Sequence, residues 1–200
     1  MIKAYNPCRD TYFHHISYNT TRYEKRNAYN HTDLYTPRLL LGERICDAVL
    51  MVDKRGGYSH VGIVVDSCGT MMVVHAVPDE PDFEGDVDRV KMETPEKFFL
   101  SMNAKIGEVR RLKGDTATAI RAARHAMEIY RRGTLFDHNY DDTDTTRMYC
   151  CELIEHVYKT AGLPIAGNTR HDITLPGMKL RCILPSDLCD SEKFERIIYF

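Results

Sequence analysis

The chain has 200 residues, 43% apolar and 28% charged, and a formal charge of −2. That length suits one domain with a full core, and the charge balance supplies no basic field to gather nucleic acid or anionic lipid. No stretch approaches the roughly 18 consecutive apolar residues of a membrane span. The opening residues, Met1 to Pro7, lack the apolar run of a secretory signal, so the expected location is cytoplasmic, with non-classical export as the alternative.

Six of the twelve tyrosines fall within residues 1–40, among His14, His15 and His31 and an excess of Lys and Arg. Their spacing of about six fits neither a helix nor a strand face. Residues 1–44 are therefore read as a Tyr/His-rich arm packed over a core at 45–200, with a recognition surface as the alternative. Seven cysteines is an odd number without any C-x-x-C pair, which argues for reduced thiols over a disulfide framework or a zinc ribbon.

The pattern changes at Cys46. The apolar run Ala48 to Val52 ends in a Gly56-Gly57 turn signal, and two further β-type runs follow, His60 to Val65 and Met71 to Ala76. Strand, turn and strand again predict an antiparallel meander. Residues 78–88 form an acidic loop, which lacks the ligand spacing of an EF-hand. Thr94-Pro95-Glu96 predicts a helix start, and Glu108 to Leu112 alternates as a strand. Asp115 caps a predicted helix from Thr116 to about Arg131, with Ile120, Ala123, Met127 and Tyr130 on its apolar face. A polar loop follows, and a second helix opens near Cys150 with Leu153, Ile154, Val157, Tyr158 and Ala161 on one face. The tail holds a short strand around Leu180 to Ile183, a turn at Pro185-Ser186-Asp187, and a closing strand near Arg196 to Phe200. Strands around two main helices make an α+β domain.

Three of these places carry chemistry. His60 opens a buried-type strand, His75 lies on the next, and Cys150 stands at a helix N-terminus. A thiol with pKa near 8.5 is mostly protonated at neutral pH, and the thiolate is the nucleophile. A helix N-terminus and a neighbouring imidazolium both favour the thiolate. The imidazole in turn needs a third polar group to hold its tautomer. Cys150, His60 and His75 are the candidates for nucleophile, base and orienting group.

These residues sit in motifs that resemble the YiiX/YebB-like branch of the NlpC/P60 superfamily, the permuted papain-like amidases. Cys46-Asp47-Ala48-Val49-Leu50 matches the branch's first strand loosely, and Ser59-His60-Val61-Gly62 matches its S-H-[VT]-G motif fully. Val73-Val74-His75-Ala76 and Tyr149-Cys150-Cys151-Glu152-Leu153 follow in the branch's order, with Phe136-Asp137 as its aromatic-Asp pair. The resemblance covers roughly residues 45–165. It implies a circularly permuted papain-like core, an antiparallel sheet packed against helices, with catalytic Cys150, His60 and His75. It also implies Tyr58, Ser59, Asp137, Tyr149 and Cys151 as substrate-binding neighbours. Two positions depart from the branch: His75 replaces a glutamate, and Cys151 replaces a serine.

The implied activity is hydrolysis of an amide, in a cell-wall-type peptide or an amide small molecule, through a Cys150 thioester and without a cofactor. The alternatives are a lipid acyltransferase or thioesterase of the same superfamily, and an inactive binding module contacting partners through the arm. A zinc site on His60, His75 and a cysteine is the least supported reading, since a thiolate–imidazole pair already accounts for these residue types.

Overall fold

Residues 38–42, 58–99, 107–175 and 178–199 are described by the computed structural model. The two alternating runs become β2 (His60–Ser67) and β3 (Thr70–Val77), paired antiparallel with Ile63 opposite Val74 and Ser67 opposite Thr70. Only Cys68 and Gly69 turn the corner. Both have positive φ, 54° and 81°, the geometry a two-residue hairpin needs to follow the twist of its strands. The Gly69 N–H donates to Asp66 Oδ1 at 2.7 Å and closes the loop. Cys68 is disulfide-bonded, whereas Cys150, Cys151, Cys182 and Cys189 are free thiols, in keeping with the expectation of reduced thiols over a disulfide framework. An odd cysteine count excludes a fully paired framework, not a single bridge.

Around this hairpin the sheet is completed by β1 (Arg38–Gly42), β4 (Arg89–Glu93), β5 (Gly107–Leu112), β6 (Leu135–Phe136), β7 (Arg147–Met148) and β10 (Phe194–Tyr199). The strand order is β10-β5-β1-β2-β3-β4-β6-β7, antiparallel at every step except the short β6–β7 pair. A separate hairpin joins β8 (His171–Leu175) to β9 (Met178–Cys182). Four helices are present among the described residues: α1 (Pro95–Phe98), α2 (Thr116–Arg131), α3 (Cys150–Thr160) and α4 (Pro185–Cys189). The α+β class and the antiparallel sheet agree with the sequence reading.

Three local expectations change. β1 falls inside the stretch assigned to the arm, yet it pairs with both β2 and β5, and the compact unit runs from Tyr35 to Phe200. The sheet therefore begins before residue 45; a five-residue strand flanked by polar sequence gives little periodicity to read. The run at 46–52 and the tyrosine-rich stretch at 1–34 lie outside the described residues. Helix α2 buries an alanine stripe, Ala119, Ala122, Ala123 and Ala126, while Ile120 is 38% exposed. Small side chains on that stripe let α2 and α3 pack closely, and packing outweighs the pull of one large apolar residue. Finally, the Pro185-Ser186-Asp187 turn continues into α4, where Asp187 Oδ2 accepts the Leu184 N–H at 2.9 Å.

Both predicted helix starts are capped. Asp115 Oδ1 accepts the Thr118 N–H at 2.9 Å, and Thr94 Oγ1 accepts the Lys97 N–H at 3.2 Å. The acidic loop folds back on cations: Asp86 pairs with Arg89 at 3.0 Å, and Lys91 reaches both Asp82 and Asp86 at 3.4 Å.

The sheet has two buried faces. Val61, Ile63, Val65, Val74 and Ala76 join the large core beneath α2 and α3. The opposite parity places Val64 and Val73 with Phe98 of α1 and Val109 in a smaller cluster. Gly62 belongs to this second face. A Cβ there would lie 2.6 Å from Val73 Cγ1, 2.9 Å from Phe98 Cε2 and 3.3 Å from His75 Cβ. The absence of a side chain at Gly62 is what lets Phe98 and β3 close over the strand. Gly62→Ala is expected to destabilise the fold by about 1–3 kcal/mol through overpacking. Urea unfolding measures it; an unchanged midpoint would refute the close approach.

Candidate active site

Helix α3 starts at Cys150 because Tyr149 ends an extended segment, with φ −92° and ψ 172°, and its carbonyl accepts the Leu153 N–H at 3.0 Å. Glu152 reaches back, and its Oε2 accepts the Tyr149 N–H at 3.3 Å. Tyr149 is itself anchored: the Ile183 N–H donates to its hydroxyl at 2.8 Å. The helix N-terminus is thus held from both sides, and Cys150 is the one residue of the pair Cys150-Cys151 that is not fully buried.

The Cys150 thiol lies well below the usual range. The Cys151 thiol, 3.9 Å away, is the largest influence; burial opposes it, and the His60 ring and the Val61 backbone N–H add to it. A thiol donor at 3.9 Å is a weak hydrogen bond, so the imidazole is the partner that matters chemically: it can take the proton away. The other described free thiols differ. Burial pushes Cys182 up to about 11. Burial and then Glu108, whose Oε1 accepts the Cys189 S–H at 3.0 Å, push Cys189 up to about 12.

His60 continues the site on its other side. Its Nε2 lies 2.8 Å from His75 Nδ1, both rings buried. The rings meet edge-on, with centroids 5.1 Å apart and an interplanar angle of 82°. Strand parity produces this: His60 and His75 share the Gly62 face and stand diagonally across the β2–β3 pair. The Phe98 ring covers both, its centroid 5.5 Å from His60 and 5.4 Å from His75. Beyond His75, Nε2 lies 3.1 Å from Glu93 Oε1 on β4. The structure joins His60 to His75 by a 2.8 Å contact and sets Cys150 where the His60 ring favours its thiolate. Phe98 and Glu93 complete their surroundings, and sequence reasoning missed both. Phe98 sits in a recognised helix start, and Glu93 ends a strand whose register was not legible.

The five residues expected to contact substrate are buried and make their contacts within the protein. Tyr58 hydrogen-bonds Glu108, and burial followed by that carboxylate raises its hydroxyl. Asp137 accepts the N–H groups of Asn139 at 2.9 Å and Asp141 at 2.5 Å, shaping the loop before β7. Tyr149 holds Ile183, and Ser59 and Cys151 are likewise enclosed. An open cavity of about 670 Å³ is lined instead by Asn139, Tyr140, Asp142, Arg170, Lys179 and Arg181 among others. Tyr140 packs on Tyr149 with ring centroids 5.1 Å apart, which sets this cavity beside the start of α3.

No family model matches the sequence, and no curated protein matches it. A solved structure does: the crystal structure of the metalloprotein YiiX from Escherichia coli O157:H7, DUF1105, superposes with a TM-score of 0.65 at 19% identity. The match covers 83% of this chain and 97% of that one. The chain has the YiiX fold. The histidine strand precedes the cysteine helix, as the YiiX-like reading of the motifs requires. YiiX is described as a metalloprotein, so the candidate residues bear testing as ligands. His60 Nε2 and His75 Nδ1 face each other at bonding distance, and their donor atoms do not converge on a shared centre. Among the described residues no group of three His, Cys, Asp or Glu side chains is arranged to hold a metal ion, nor is any helix long and apolar enough to cross a membrane.

Two outcomes follow for the titrating groups. Iodoacetamide should alkylate Cys150 at pH 6, ahead of Cys182 and Cys189, and His60→Ala should move the Cys150 inflection upward. Peptide mapping of the label reads this, and uniform labelling would refute it. Burial, with Asp137, Asp142 and Asp141 nearby, raises the Glu152 carboxyl from 4.5 to about 9. The native state then keeps a proton that the unfolded chain releases above 4.5, so this group costs stability increasingly as pH rises toward 9. Glu152→Gln should gain thermal stability relative to the parent between pH 5 and pH 9; a constant difference in Tm would contradict it.

Proposed function

We propose that the protein is a cysteine hydrolase that cleaves an amide bond through a thioester on Cys150. The observation that carries this reading is the 2.8 Å contact of His60 with His75, together with a Cys150 thiol that the His60 ring helps to favour as thiolate at a helix N-terminus. In the first step the Cys150 thiolate attacks the carbonyl carbon, while the positive end of α3 stabilises the oxygen that becomes negative. The His60 imidazolium gives its proton to the departing amine as the C–N bond breaks. Neutral His60 then takes a proton from water, whose oxygen attacks the thioester and releases the acid.

The neighbouring cavity supports a polar substrate. Its lining of Asn139, Asp142, Arg170, Lys179 and Arg181 suits a peptide or amide with charged groups better than an acyl chain, which needs an apolar groove. A cell-wall-type peptide fits that chemistry.

The test compares synthetic cell-wall-type peptide amides with a fatty-acyl thioester as substrates. Cleavage of the peptides, lowered about 10³-fold or more by Cys150→Ala and by His60→Ala in folded protein, is expected. Peptide turnover surviving either substitution would sink the assignment. Turnover of the thioester alone would replace the amide reading with lipid chemistry.

A further inference from the structure

We infer that Glu93 is a positioning residue that selects the His75 tautomer and so decides whether His60 Nδ1 carries the lone pair that takes the thiol proton. This builds on the cysteine hydrolase reading for its consequence in turnover, while the tautomer itself is measurable without any substrate.

The proton inventory leads there. His60 Nε2 and His75 Nδ1 stand 2.8 Å apart, so one proton lies between them. For His60 to accept the Cys150 proton at Nδ1, that atom must carry a lone pair. Neutral His60 must then bear its proton on Nε2 and donate it to His75 Nδ1. A neutral His75 that accepts at Nδ1 carries its own proton on Nε2. That nitrogen is fully buried and lies 3.1 Å from Glu93 Oε1, an acceptor when ionised. The contact is an ion-pair approach, off the line of an ideal hydrogen bond, and its sign is what matters. The opposite tautomer of His75 would point a proton at His60 Nε2, push the His60 proton onto Nδ1, and present N–H to the thiol instead of a base.

Among the described residues the surrounding charges agree with this direction. From β2 comes His60 itself. From β4, Lys91 pairs with His75 in register, but its ammonium is drawn to Asp82 and Asp86 at 3.4 Å. From α1, Lys97 Nζ approaches Glu93 Oε2 at 3.4 Å, and Phe98 walls off the rings. When the thiol proton moves to His60 Nδ1, the products are a thiolate and an imidazolium. The protons on His60 Nε2 and His75 Nε2 stay where they were. Glu93 receives no proton; its charge stabilises the imidazolium through the neutral His75 ring.

The experiment begins with the unaltered protein. Nitrogen-15 long-range correlation spectra are expected to show His75 protonated at Nε2 and His60, when neutral, protonated at Nε2. His75 protonated at Nδ1 overturns the assignment, and this measurement needs no variant to fold. In Glu93→Gln the amide can donate to His75 Nε2 and invert the tautomer. Cys150 alkylation by iodoacetamide at pH 6 should then slow about tenfold, its inflection moving up by about one pH unit. Glu93→Asp should restore most of the rate. An alkylation profile identical to the parent in a folded Glu93→Gln protein would refute the role. Failure of the peptide-cleavage assay with the expected tautomers in place would instead count against the hydrolase reading alone.

Discussion

The site depends on one contact, the 2.8 Å approach of His60 Nε2 to His75 Nδ1. Two neutral imidazoles can hydrogen-bond only if one donates and the other accepts, so this contact couples the two tautomers. Everything around it enforces closeness. Gly62 removes the side chain that would hold β3 and α1 away, and Phe98 fills the space so gained with an apolar ring. In that dry setting an imidazolium beside a thiolate is less screened than it would be in water, which favours the thiolate at Cys150.

The same physics separates the thiols. Cys182 and Cys189 are as much cysteines as Cys150, but both are buried without a base, and Cys189 faces the Glu108 carboxylate. Burial alone raises a thiol. At Cys150 burial acts too, and is outweighed by donors that favour the anion. Cys151, one residue further along α3, points into the core and serves the site as a neighbour. The lowered thiol is therefore set by where the helix begins, and one residue further along the side chain serves packing.

Much of this was legible in the sequence where local pattern and local chemistry agree. Thr94, Asp115 and the Cys150 start of α3 were readable as helix openings, because caps act within three residues. The β2–β3 hairpin was readable from Asp66-Ser67-Cys68-Gly69. The pairing of His60 with His75 came from ordered motifs, and the two-strand register then accounts for it. What stayed hidden was non-local. Glu93 reaches His75 only through the β3–β4 register, which puts Val73 opposite Glu93 and His75 opposite Lys91. β1 was absorbed into the arm because five residues between two partner strands carry no periodicity of their own. The burial of Tyr58, Ser59, Asp137, Tyr149 and Cys151 is likewise something no spacing rule reveals.

The two faces of the sheet explain why the histidine must open its strand. Helix α3 packs on the face of Val61, Ile63 and Val65, whereas His60, Gly62 and His75 belong to the face covered by Phe98. A histidine in the middle of β2 would be separated from the helix by the sheet itself. Only at the first residue of the strand, where the sheet ends, can an imidazole on one face meet a thiol from the other. The Val61 N–H at that same rim also favours the Cys150 thiolate. Gly62 then has to follow at the next position of the same face, since that is where β3 and α1 come closest to the ring. The spacing Ser59-His60-Val61-Gly62 thus follows from a thiol and an imidazole delivered from opposite sides of one sheet.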